Sequence, residues 1–104
     1  MSAVPLPPTK PVASEVTSNS VLLTWSSGNT EPVQSYIIQY RRMYSSEEYS
    51  NIVRVMTTQY EVLPIEANTA YEFRIVAVND AGQSEPSTII VVTTSKGKLG
   101  LCSK

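Results

Sequence analysis

The sequence contains no histidine and only one cysteine in 104 residues. Without imidazoles or a second thiol, the usual nucleophile and base pairs and the common zinc ligand sets cannot be assembled. Glu47 and Glu48 are adjacent carboxylates, but they lie in a turn beside Ser45 and Ser46, where solvation is cheap. No catalysis, metal or cofactor is expected. The lone Cys102 sits in the tail "SKGKLGLCSK", so an intrachain disulfide is impossible and the core must hold by packing. It reads as an incidental thiol, intermolecular pairing being the alternative. Positive charge is not in excess, with 8 Lys+Arg against 9 Asp+Glu. No basic field therefore exists to attract phosphate backbones or anionic lipid, and neither nucleic acid nor direct membrane contact is expected. No apolar run approaches the roughly 20 residues of a spanning helix. "MSAVPLPPTK" lacks the apolar stretch of a signal peptide. The fragment is expected to be soluble and monomeric, and any signal or anchor of its parent would lie outside it. The four glycines form no run before a helix, so a phosphate cradle is excluded too.

What the sequence does contain is short β-rich runs at regular intervals. These are "VASEVT", "SVLLTW", "SYIIQYRR", "YSNIVRV", "QYEV", "YEFRIVAV" and "STIIVVTT". Seven such runs between turn clusters predict an all-β, seven-stranded antiparallel sandwich. Alternation assigns the faces. Val21, Leu23 and Trp25 share one face of the second run, Tyr36, Ile38 and Tyr40 one face of the third, and Tyr71, Phe73, Ile75 and Ala77 one face of the sixth. Those rows form the predicted core, with Ile65 beside them. Four of the seven prolines, Pro5, Pro7, Pro8 and Pro11, fall in the first eleven residues. Residues 1–10 therefore read as a proline-rich linker, 11–94 as the domain and 95–104 as a flexible tail.

Three stretches carry a more specific signal: "SVLLTW" ending in Trp25, "YIIQYR" from Tyr36, and "IEANTAYEFRIVAVNDAG" from Ile65, followed by "SEPS". Together they resemble the fibronectin type III family over about Pro8 to Thr94, an immunoglobulin-like sandwich. "WSSGNTEPV", "IQYR" and "TTQY" are similar to the first such repeats of LAR-type receptor tyrosine phosphatases. The family pattern places a proline four residues before the strand-leading tyrosine. Here that residue is Ala67, which leaves the bend less rigid. The resemblance implies that Tyr71 forms a "tyrosine corner", its ring under the loop joining the sheets and its hydroxyl bonded to a backbone acceptor a few residues upstream. The loop "NDAGQSEP" lacks the Arg-Gly-Asp of the family's integrin-binding example, and that activity is not implied.

What remains for function is surface. The outward rows of the third and sixth runs are Ile37, Gln39, Arg41 and Glu72, Arg74, Val76, Val78, on strands expected to neighbour one another. Arginine beside exposed aliphatics suits a protein partner, and Arg42, Met43, Tyr44 and Tyr49 extend that face at an adjacent turn. The candidate surface is therefore Ile37, Arg41, Arg42, Tyr44, Arg74 and Val76. The plainer alternative is a solvated sheet in which Arg41, Glu72 and Arg74 pair and arginine stems cover the aliphatics. An odd number of strands places the two chain ends at opposite poles, which suits a spacer. The resemblance implies a non-catalytic interaction and spacer module in the extracellular part of a plasma-membrane receptor. Its contacts would be an unidentified protein and neighbouring domains. The alternative is a repeat of an intracellular filament-associated protein.

Overall fold

The computed structural model describes residues 3–30 and 32–96; Cys102 and most of the predicted tail lie outside them. The strands are β1 (Val12–Val16), β2 (Val21–Thr24), β3 (Ser35–Arg42), β4 (Ser50–Val55), β5 (Gln59–Val62), β6 (Ala70–Asn79), β7 (Gly82–Gln83) and β8 (Ile90–Thr93). β1, β2 and β5 form one antiparallel sheet. The other has the order β4-β3-β6, with β7 and β8 both on the free side of β6. The predicted seventh strand is thus present as β8, shortened to Ile90–Thr93, and the two-residue β7 is an added strand separated from it by an interruption over 84–89.

Pro86 explains the interruption, because it has no N–H to give a ladder. Two serines carry β6 across the gap. Ser84 and Ser87 accept the Ala77 and Ile75 amides on their Oγ atoms, each at 2.9 Å. Their own amides donate to the carbonyls of the same two residues at 2.8 Å. Both serines are buried.

The sheets close on the alternating rows. Leu23, Ile38, Phe73, Ile75 and Ala77 are wholly buried, and Trp25, Tyr36, Ile65 and Tyr71 nearly so. Trp25 meets Tyr36 edge-on, with ring centroids 5.5 Å apart and planes at 75°. Tyr40, Tyr71 and Phe73 form a second aromatic group. Edge-to-face and offset rings add to area burial, which suits a core without a disulfide.

The segment read as a linker carries no strand, yet it is fastened to the body. Pro5 and Pro8 are buried. The Asn29 side chain brackets Leu6, accepting its N–H at 2.8 Å and donating to its carbonyl at 3.0 Å. Asn79 Nδ2 donates to the Ala3 carbonyl at 2.9 Å, and Thr9 N–H to the Ser26 carbonyl at 3.0 Å. Gly28, at φ 71°, would place a Cβ 2.9 Å from the Pro7 carbonyl oxygen, so only glycine fits there. β1 starts opposite the end of β2, whereas β8 ends opposite the start of β6. The chain therefore arrives at the pole of the Gly28 and Gly82 turns and leaves at the other.

Ser95, read as the start of the tail, belongs to the body. Its amide donates to the Thr17 carbonyl at 3.1 Å, and its carbonyl accepts the Asn68 amide at 2.9 Å.

Candidate functional surface

The register brings the two outward rows together as expected: Ile37 opposes Val76, Gln39 opposes Arg74, and Arg41 opposes Glu72. Two of the candidate residues are nevertheless not available. Ile37 and Val76 retain only 8% and 3% of their exposure. They face one another across the two central strands, and the next row, Gln39 and Arg74, is joined by a 2.6 Å hydrogen bond. The long stems of that polar row lie beside the aliphatic pair, so an outward position becomes a buried one.

Tyr49 organises the rest of the face. It precedes β4 and lies over the neighbouring strands, with the Arg74 guanidinium carbon 4.0 Å and that of Arg41 4.4 Å from its ring centroid. Its hydroxyl donates to Glu72 Oε1 at 2.5 Å. Arg41 Nε lies 3.3 Å from Glu72 Oε2 but makes no aligned hydrogen bond there, so that contact is an ion pair. Arg74 thus bonds to Gln39 and stacks on Tyr49 rather than joining Glu72 in a simple cross-strand pair. Two stacked guanidiniums and one carboxylate are held by one phenol, an arrangement that spends most of the face's charge internally.

Burial raises the Tyr49 phenol above its ordinary value, and the hydrogen bond to Glu72 adds to this. The Glu72 carboxyl is lowered, first by the Tyr49 hydrogen bond and then by Arg41. The signs give a pH window. A carboxyl depressed in the folded state contributes stability above its unfolded value, near 4.3, and loses it as pH falls through the folded one. A phenol raised in the folded state contributes below its unfolded value, near 10, and loses it as pH rises through the folded one. Stability measured by urea midpoint is expected to fall on both sides of neutrality. Tyr49→Phe is expected to weaken both flanks, and an unchanged pH profile in that variant would contradict the linkage.

The turn between β3 and β4 is held from several sides. Arg42 Nη2 lies 2.8 Å from Glu47 Oε2, and its Nη1 lies 3.3 Å from Glu66 Oε1. Glu47 is lowered chiefly by its hydrogen bond from Arg42. Ser45 Oγ accepts the Glu47 amide at 2.8 Å, and the Met43 amide donates to the Ala70 carbonyl at 2.9 Å. At the apex Tyr44 is 96% exposed.

Tyr71 forms the corner, with one difference in polarity. Its hydroxyl accepts the Glu66 amide at 2.8 Å rather than donating to a backbone acceptor. Buried Thr94 completes the knot: its hydroxyl donates to the Glu66 carbonyl at 2.7 Å and accepts the Thr69 amide at 3.0 Å. The sequence reading missed Thr94, whose partners are 25 and 28 residues away. Tyr49 was noticed only as a turn residue. Among the described residues, no three His, Cys, Asp or Glu side chains are grouped to hold a metal.

Comparison with known proteins agrees with this architecture. Receptor-type tyrosine-protein phosphatase F of Danio rerio is 42% identical over 96 residues, 92% of this chain and 5% of that protein. Tyrosine-protein phosphatase Lar of Drosophila melanogaster is 36% identical over 95% of this chain and 5% of its own length. The chain thus spans about a twentieth of these relatives. Among solved structures, the fibronectin type-III domain of human fibronectin type III domain containing protein 3 matches with a TM-score of 0.81 and 27% identity, covering 100% of this chain and 97% of that one. Domains A168–A170 of titin match with a TM-score of 0.77 and 30% identity, covering 88% of this chain and 32% of that one. The profile of the fibronectin type III domain matches residues 6–93, and the chain belongs to that family.

Proposed function

We propose that this domain is a non-catalytic interaction and spacer module in the extracellular part of a cell-surface receptor of the receptor-type tyrosine phosphatase kind. The observation that carries the spacer role is the placing of the chain ends. The polypeptide is fastened through Thr9 and Ser26 at one pole and through Ser95 and Thr17 at the other. Copies joined through these ends lie in line, each adding about 25–35 Å for the longest strands, β3 with eight residues and β6 with ten, at roughly 3.3 Å each. The similarity to phosphatases F and Lar supports the receptor setting. The interaction role rests on the turn around Tyr44, because the Arg41 and Arg74 face is largely self-satisfied.

The titin match favours a second reading, a repeat in an intracellular filament-associated protein. Small-angle scattering on two copies joined head to tail is expected to give a maximum dimension near twice that of one. A compact pair would overturn the spacer role. Protease added to intact cells is expected to cleave the parent chain beside this domain, and complete protection would favour the filament reading.

A further inference from the structure

We infer that Tyr44 is an anchor for the domain that follows in the same chain, so that the β3–β4 turn and the departing strand together form an interdomain seat. This deepens the spacer reading and rests on it. The inference starts from a residue that folding does not explain. Tyr44 has φ 59°, a left-handed backbone that disfavours a bulky side chain. Asn68 shares this conformation at φ 53°, but asparagine tolerates it, and Arg54 at φ 60° lies where the β3–β4 register shifts. Tyr44 has neither reason. Its side chain is 96% exposed, so burial returns nothing for the backbone cost. Glycine or asparagine would serve this turn better.

The turn is also unusually well held. The Arg42–Glu47 pair, the Ser45 bond to Glu47 and the Met43 bond to Ala70 fix the backbone on both sides of the phenol. A rigid aromatic with few torsions to freeze is the kind of group that supplies contact area at low entropic cost. Arg42 and Glu47 beside it are already paired with one another, so an apolar surface approaching on that side meets no free arginine.

Position identifies the occupant. Met43 bonds to Ala70, Ala70 opposes Thr93 on β8, and Ser95 bonds back to Asn68. The turn therefore stands about two strand spacings, roughly 10 Å, from the point where the chain leaves. Nine residues of the chain follow Ser95, at most about 30 Å when extended, so a domain beyond them begins within reach of Tyr44. The opposite pole shows what a domain of this kind would present there: Val4 and Leu6 are 51% and 62% exposed on a segment pinned to the body.

Tetranitromethane nitration followed by peptide mass mapping tests this on the parent chain extended through its next domain, compared with this domain alone. Tyr60, 38% exposed on β5, serves as internal control. Tyr44 is expected to react at least tenfold more slowly in the longer chain while Tyr60 is unchanged. Tyr44→Gly in the longer chain is expected to leave the urea midpoint equal or higher and to let the two domains tumble more independently by NMR relaxation. Equal Tyr44 nitration in both forms overturns the inference, as does protection that appears only when a separate protein is added. Scattering separates the two readings. An extended pair with unprotected Tyr44 removes the seat and keeps the spacer, whereas a side-by-side pair removes the spacer.

Discussion

Trp25→Ala is expected to lower folding stability by about 3–5 kcal/mol, the usual cost of deleting a large buried aromatic. Trp25 is 4% exposed and packs edge-on against Tyr36 between the two sheets, where no disulfide limits the damage. Its backbone adds little to the argument, because the amide bond to the Thr58 carbonyl survives the substitution. A second variant separates volume from polarity. Trp25 Nε1 is buried without a hydrogen-bond partner, and such a donor carries a desolvation cost of about 1–3 kcal/mol. Trp25→Phe removes that donor together with only part of the volume, so its loss is expected to be clearly smaller than that of the alanine variant. Urea titration with a constant slope reads both. Equal midpoints for Trp25→Ala and the parent would show that the ring is not part of the core.

Tyr71→Phe is expected to cost about 1–2 kcal/mol, because it strands the Glu66 amide, whose hydrogen bond ends on the Tyr71 hydroxyl. The ring stays packed against Tyr40 and Phe73, so the effect isolates one hydrogen bond. Tyr44→Phe is the matched control. It removes the same atom from a fully exposed side chain and is expected to stay within about ±0.5 kcal/mol. A neutral Tyr71→Phe that abolished association with a partner would make the phenol functional instead of structural.

The faces of the strands were legible because alternation is a local property, and Trp25, Tyr36, Ile38, Tyr71 and Phe73 all lie buried on the rows it defined, with Ile65 buried beside them. The corner was legible because its partners are five residues apart, although the polarity of its hydrogen bond was not. Period two separates inward from outward without saying what covers the outward side, and the burial of Ile37 and Val76 favours the alternative of a covered, solvated sheet over the candidate surface. The Gln39–Arg74 bond in the row beside them joins residues 35 apart. The stack of Arg41, Tyr49 and Arg74 likewise needs three segments in register. The Ser84 and Ser87 bridges could have been suspected from a proline just ahead of the last strand pattern, flanked by short hydroxylated residues. The fastening of residues 3–9 had no comparable sign: composition suggested a tether, and Asn29 and Asn79 lie too far along the chain for any local rule to connect them.

That fastening changes how the molecule would bear tension. A pull through the chain reaches the body near Thr9 and leaves near Thr94, so the load runs along the strands and is shared by ladder bonds lying across it. The bonds of Ala3 and Leu6 to Asn79 and Asn29 lie ahead of that point and would be peeled one after another. Once released, residues 3–8 could span up to about 20 Å at roughly 3.3–3.6 Å per residue. Each domain would then act as a stiff rod with a short, resettable slack at its leading pole, yielding before any strand does.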